Sequence, residues 1–89
     1  MDSYEARLLA AQISSHLPAL DLHGVYPTEA PHRVELFLYD AHKAQQGAVK
    51  IVYGIGTGAL GAAVLRYLRE HPLVATMQEQ TAHCIVLLN

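Results

Sequence analysis

Two places in the 89-residue sequence combine residue types and spacing that could do chemistry. The first is Asp21 and His23, two apart in Leu20-Asp21-Leu22-His23-Gly24. This alternation of apolar and polar residues predicts a short strand stopped by glycine, with Leu20 and Leu22 on one face and Asp21 and His23 on the other. Open α/β sheets place their sites near the carboxyl ends of strands. There the carboxylate would orient the imidazole, and the imidazole would act as general acid or base. The same pair could equally serve solvation and turn formation.

The second is Gly54-Ile55-Gly56-Thr57-Gly58, between a β-branched run and a helical pattern. Glycines let a backbone approach a phosphate closely, and a helix start aims N–H groups and a positive dipole end at it. Gly56-Thr57-Gly58-Ala59-Leu60-Gly61 also spells the dinucleotide fingerprint, with Glu79 about where a ribose-binding acid would stand. Only about 30 residues follow, too few to complete a doubly wound sheet, so that reading is rejected. No Gly-Lys-Ser/Thr follows, which excludes a triphosphate loop. A tight strand-to-helix turn that uses glycine for packing alone stays open.

Between these places the chain must supply a scaffold. Apolar residues at steps of three and four predict a leading helix from Ser3 to His16, stopped by Pro18. After the Asp-x-His strand, Thr28 can cap a second helix that places Pro31 in its first turn, buries Val34, Phe37, Leu38 and Ala41, and ends at Gly47. Ala48 to Tyr53 reads as a central strand, Ala59 to Glu70 as a third helix, and Val74 to Gln78 and His83 to Leu88 as closing strands. The expected architecture is a two-layer α/β sandwich: two helices on one face of a four-stranded sheet, the other face partly open. Residues 1–18 are expected to form a helix packing on a domain of residues 19–89.

Composition narrows the function. Hydrophobic residues make up 52% and charged residues 16%, against roughly 25% charged in an average soluble domain, so the chain should fold. One cysteine supports neither an internal disulfide nor a thiolate zinc site, and the histidines form no i, i+4 ligand pair on a helix; no metal or cofactor is expected. The sequence holds no apolar run long enough to span a membrane, and Met1-Asp2-Ser3-Tyr4-Glu5 lacks a basic leader; a cytoplasmic protein is expected. With a net charge of -2, nucleic acid could be gripped only by a local patch. Lys50, Arg66 and Arg69 are the clustered cations, enough for two or three phosphate contacts and a salt slope near about -2. Tyr39, Tyr53 and Tyr67 could stack on bases or simply pack.

Taken together, Leu20-Asp21-Leu22-His23-Gly24, Glu29-Ala30 at a helix start, Ile51-Val52-Tyr53-Gly54-Ile55-Gly56-Thr57-Gly58-Ala59-Leu60, and Leu68 with His71-Pro72 resemble the Smr (small MutS-related) domain family over about positions 20 to 75. The resemblance implies a fold similar to the C-terminal domain of translation initiation factor three, and endonuclease activity on RNA or DNA. Asp21 and His23 then match the acid-x-histidine pair implicated in cleavage. Lys50, Tyr53, Gly54, Gly56, Thr57, Gly58, Arg66 and Arg69 become the nucleic-acid-binding residues, with a ribosome or protein partner as a further expectation. Three residues depart from the motif: Tyr53 stands where His is usual, Ile55 where Lys is common, and Gly61 where Arg often follows the leucine. These losses imply a weaker phosphate grip. A binding module with a degenerate site is the alternative.

Overall fold

A computed structural model describes residues 3–89; Met1 and Asp2, part of the expected 1–18 segment, lie outside the described residues. The elements follow the expected order: α1 (Ser3–Ile13), β1 (Ala19–Asp21), α2 (Ala30–Lys43), β2 (Ala48–Val52), α3 (Ala59–Arg69), β3 (Val74–Glu79) and β4 (His83–Leu88). One mixed sheet results, ordered β1-β2-β4-β3, with β1 parallel to β2 and β4 antiparallel to both neighbours. The last strand takes an inner place because of its composition: Cys84, Ile85, Val86, Leu87 and Leu88 are all buried. A strand covered on both faces needs such a run, whereas one with a solvated face alternates.

The connections β1-α2-β2 and β2-α3-β3 step the same way across the sheet, so right-handed crossovers put α2 and α3 on one face. Val34, Leu38 and Ala41 of α2 and Val64 and Leu68 of α3 close there on Val49, Ile51, Cys84, Val86 and Leu88. Ile85 and Leu87, out of phase with that set, face the other way. There α1 packs over β4 and β3, with Ala11 buried and the Arg7 guanidinium donating to the Gly47 carbonyl at 3.3 Å. The two-layer sandwich thus carries α1 as a partial cover on the face expected to be partly open.

Helix ends differ from expectation, each for a local reason. Helix α1 stops at Ile13, three residues before His16, and Ile13 is 87% exposed, so burial gives no cause to extend it. Pro27 to Glu29 form a turn, α2 begins at Ala30, and Thr28 does not cap it. Its other end comes at Lys43, not Gly47. Gln45 takes the left-handed conformation (φ 59°), and the Gln45 and Gln46 N–H groups bond back to the His42 and Ala41 carbonyls, both at 3.0 Å. That is a Schellman stop made without glycine.

A polar cluster locks α2 to the end of α3. His71 is buried; its Nδ1 accepts the Leu73 N–H at 3.1 Å, and its Nε2 lies 3.4 Å from Glu35 Oε1. The Tyr67 hydroxyl donates to Glu35 Oε2 at 2.5 Å, and the Tyr39 and Tyr67 rings meet the imidazole edge-on. The Tyr67 hydrogen bond holds the Glu35 carboxyl below its ordinary range, while burial first, and Glu35 next, push the Tyr67 phenol up to about 12. On β4, burial and then Lys50 lower His83. Both lowered groups bind fewer protons folded than unfolded, so stability falls as pH falls. The His83 contribution is expected to fade below about pH 6.5, and that of Glu35 below about 4.3. Urea midpoints should therefore drop from pH 7 to 3, with His83→Gln flattening the upper part and Glu35→Gln the lower. A wild-type midpoint constant between pH 7 and 5 would remove His83 from this account.

Candidate functional site

Strand β1 ends at Asp21, so Asp21 and His23 are not a same-face strand pair as the alternation predicted. The chain turns instead. Asp21 Oδ1 accepts the His23 backbone N–H at 2.9 Å, the Val25 N–H donates to the Leu22 carbonyl at 2.9 Å, and Gly24 adopts φ 83°. A short carboxylate that bonds the N–H two residues on stabilises this kind of turn. Leu22 anchors it, fully buried in the core, and His23 is thrown outward. Its ring lies over Gly54, where a Cβ would come 3.4 Å from His23 Cδ2. Among the described residues, the Asp21 carboxylate is bonded to the main chain of His23 and not to its imidazole.

The glycine loop runs from the end of β2 into α3. Gly54, Gly56 and Gly58 all have positive φ, at 77°, 43° and 88°, as expected of glycines that shape a turn. No atom lies within 4 Å of a Cβ placed on Gly56 or Gly58, so there the requirement is conformational and not steric. Gly58 caps α3; its N–H donates to the Ile55 carbonyl at 3.1 Å, and the Ala59 N–H donates to Thr57 Oγ1 at 3.3 Å. Leu60 and Gly61, next in the first turn, have N–H groups with no intrahelical acceptor. His23, Gly24 and Pro27 face this loop across an open cleft of about 300 Å³ lined by residues 53–60.

Tyr53 forms the floor of that cleft. It is 5% exposed, and its hydroxyl lies 2.9 Å from the Gln80 carbonyl and 3.0 Å from that of His83, while the Tyr53 and Gly54 N–H groups both reach the Ala82 carbonyl. The ring is thus committed to the β3–β4 turn, not offered to a base. Burial, then the Cys84 and Glu79 charges, push its phenol up to about 12. Gly61 makes room for it: a Cβ there would stand 2.9 Å from Tyr53 Cδ2. Two departures from the family motif are therefore one packing unit.

The expected cation cluster does not form. Lys50 pairs in register with Ala19 and Ile85 on the sheet face away from α2 and α3, beside His83. Arg66 and Arg69 lie in the last turn of α3, about 12 to 17 Å along the helix from Gly58 at 1.5 Å per residue. Arg69 is also paired with Glu79 at 2.5 Å. Tyr39 and Tyr67 are held in the His71 cluster, away from the loop. Sequence reasoning missed two features. Glu35 gave no signal because its partners stand outside its own helix; Tyr26, 72% exposed, could have been singled out as an aromatic between two turn-forming residues, Gly24 and Pro27, that line the cleft.

Comparison with known proteins bears on the family and the fold. The Smr domain profile matches residues 20–84. Endonuclease MutS2 of Clostridium perfringens is 40% identical over 70 residues, 79% of this chain and 8% of that protein. Endonuclease MutS2 of Pelotomaculum thermopropionicum is 43% identical over 61 residues, 68% of this chain and again 8% of the relative. The chain thus spans less than a tenth of these relatives. Among solved structures, the Smr domain of Thermus thermophilus MutS2 superposes with a TM-score of 0.79 at 25% identity, covering 82% of this chain and 99% of that one. YdaL, a stand-alone small MutS-related protein from Escherichia coli, shares the fold with a TM-score of 0.77 at 22% identity, covering 92% and 74%. With its motifs, its fold and a profile match over most of its length, the chain belongs to the Smr domain family.

Proposed function

We propose that this domain binds a nucleic-acid strand at the glycine-loop cleft and cleaves it, with His23 as the proton-transfer group. The observation that carries the reading is the imidazole held over Gly54, opposite a loop that leads into the start of α3. The N–H groups of Leu60 and Gly61 are suited to a phosphate oxygen, and they would stabilise the charge that grows on it during displacement. With RNA, the neighbouring ribose hydroxyl attacks phosphorus as His23 takes its proton; the P–O bond to the next nucleotide breaks and the leaving oxygen takes a proton from water, giving a cyclic phosphate and a free hydroxyl. With DNA a water must attack, and a metal ion could activate it. Asp21 acts as a positioning residue, holding the turn that carries His23.

The test is an assay of purified protein on labelled single-stranded RNA and on supercoiled DNA, with and without EDTA. Cleavage of RNA that survives EDTA supports the ribose-hydroxyl route, and cleavage of DNA alone that EDTA stops supports water and a metal. No cleavage of either sinks the catalytic reading. One observation favours the second reading, a binding module: among the described residues, no Lys, Arg, Asp or Glu lines the cleft. The salt slope of log affinity is accordingly expected to be no steeper than about -1, and a ribosome or another domain of a larger protein would supplement it.

The loop has its own test. Titration with inorganic phosphate is expected to shift NMR amide signals between Tyr53 and Gly61. Gly58→Val, which forces a β-branched residue to φ 88°, should suppress the shifts and lower stability by about 1 to 2 kcal/mol. If phosphate moves no amide in that segment, the anion site is wrong.

A further inference from the structure

The cleft is lined by main-chain N–H groups of the loop, the Thr57 hydroxyl, the His23 imidazole and apolar side chains. Ile55, 68% exposed, lines it on the loop side. Tyr26, 72% exposed, stands between Gly24 and Pro27, both of which line the opposite side. Among the described residues, the other large exposed apolar side chains, Tyr4, Leu9, Ile13, Leu36 and Tyr39, sit on α1 and α2. The Tyr26 carbonyl accepts the Glu29 and Ala30 N–H groups at 2.9 and 3.1 Å, so the ring springs from a fixed turn. An aromatic with two side-chain torsions on a fixed backbone loses little freedom when something stacks on it.

The lack of Lys, Arg, Asp and Glu among the cleft's described lining residues decides what fits there. Among the described lining residues a second phosphate would meet no Lys or Arg, and a charged peptide would find no Lys, Arg, Asp or Glu to pair with. A flat, uncharged group tethered to an anion suits both halves of the site: the anion at the N–H donors, the flat group on the ring. A nucleotide has that composition.

We propose that Tyr26 and Ile55 form a nucleobase subsite at the rim, with a base lying on the Tyr26 ring while its own phosphate occupies the glycine loop. This rests on the nucleic-acid reading above and adds to it. Stacking, not charge, then supplies most of the affinity, and because every base has a π-face the subsite tolerates any sequence. It also demands a single strand or a flipped-out base, since a base stacked inside a duplex has no face to offer.

The experiment compares a short end-labelled single-stranded oligonucleotide with an abasic oligomer of equal charge, by fluorescence anisotropy, on wild type, Tyr26→Ala and Tyr26→Phe. Inorganic phosphate is followed separately by NMR. Wild type is expected to bind the base-bearing strand about tenfold or more tighter than the abasic one. Tyr26→Ala should remove that difference without changing abasic binding, and Tyr26→Phe should keep it. The side chain is exposed, so truncation should leave the fold intact. Equal binding of the two oligomers by wild type, or unchanged base-bearing affinity in Tyr26→Ala, overturns the subsite while the phosphate-loop reading stands on its own NMR result. Tyr26-dependent binding with no loop shift on adding phosphate overturns the proposal, because the base would then bind without its phosphate in the loop. Wild type binding neither oligomer overturns both.

Discussion

His23→Ala is expected to slow strand cleavage by about 10²- to 10⁴-fold, the usual contribution of one positioned acid–base group. Because His23 is exposed and its ring rests on a glycine, the urea midpoint should stay near that of wild type, which separates lost chemistry from lost fold. The partner residue sharpens the test. If Asp21 works through the turn, Asp21→Asn should keep most activity, since an amide oxygen can still accept the His23 N–H, while Asp21→Ala should lose more. If instead the carboxylate charge acts on the imidazole, Asn and Ala should be equally poor, and the pH–rate profile should move in both. Cleavage at the wild-type rate in His23→Ala would end the catalytic assignment.

Tyr53→Ala should be among the most destabilising single changes, at about 3 to 5 kcal/mol, because it empties a buried ring's volume and strips the Gln80 and His83 carbonyls of their donor. Gly61→Ala tests the same unit from the other side. Alanine ordinarily gains up to about 1 kcal/mol over glycine inside a helix. Here its Cβ would press on a ring atom that the anchored hydroxyl keeps from moving away, an overpacking cost of about 1 to 3 kcal/mol. The net effect expected in wild type is a lower urea midpoint, and in the Tyr53→Ala background a higher one. A double-mutant cycle reads this change of sign directly. If Gly61→Ala is stabilising in both backgrounds, the two positions are independent and the pairing is wrong.

The amino-acid sequence by itself determined the elements and their order. Val49, Ile51 and Val52 between glycines could be little but a buried strand, and Leu60, Val64, Leu65 and Leu68 little but a helical face. The positive-φ glycines of the loop were equally legible, because a spacing of Gly54, Gly56 and Gly58 between strand and helix has few other uses. These are local properties, set by a residue and its near neighbours. Helix ends were less legible: Gln45 does in this chain what Gly47 was expected to do, since the hydrogen bonds of the stop, and not residue type alone, select the terminating residue.

What only the tertiary structure decided is which of those residues meet. Alternation in Leu20-Asp21-Leu22-His23 promised a strand pair, but the Asp21 side chain bonds its own chain two residues on and ends β1, so His23 reaches the glycine loop without it. Lys50, Arg66 and Arg69 are near in sequence yet divided between the far face of the sheet and the far end of α3, because period two and period 3.6 point neighbouring side chains in unrelated directions. Tyr53 and Gly61, read from the sequence only as two separate departures from the motif, are matched because the loop folds one helical turn of α3 back over the end of β2. Burial depends on contacts between distant segments, and the sheet order β1-β2-β4-β3 that creates those contacts is settled only when the whole core closes.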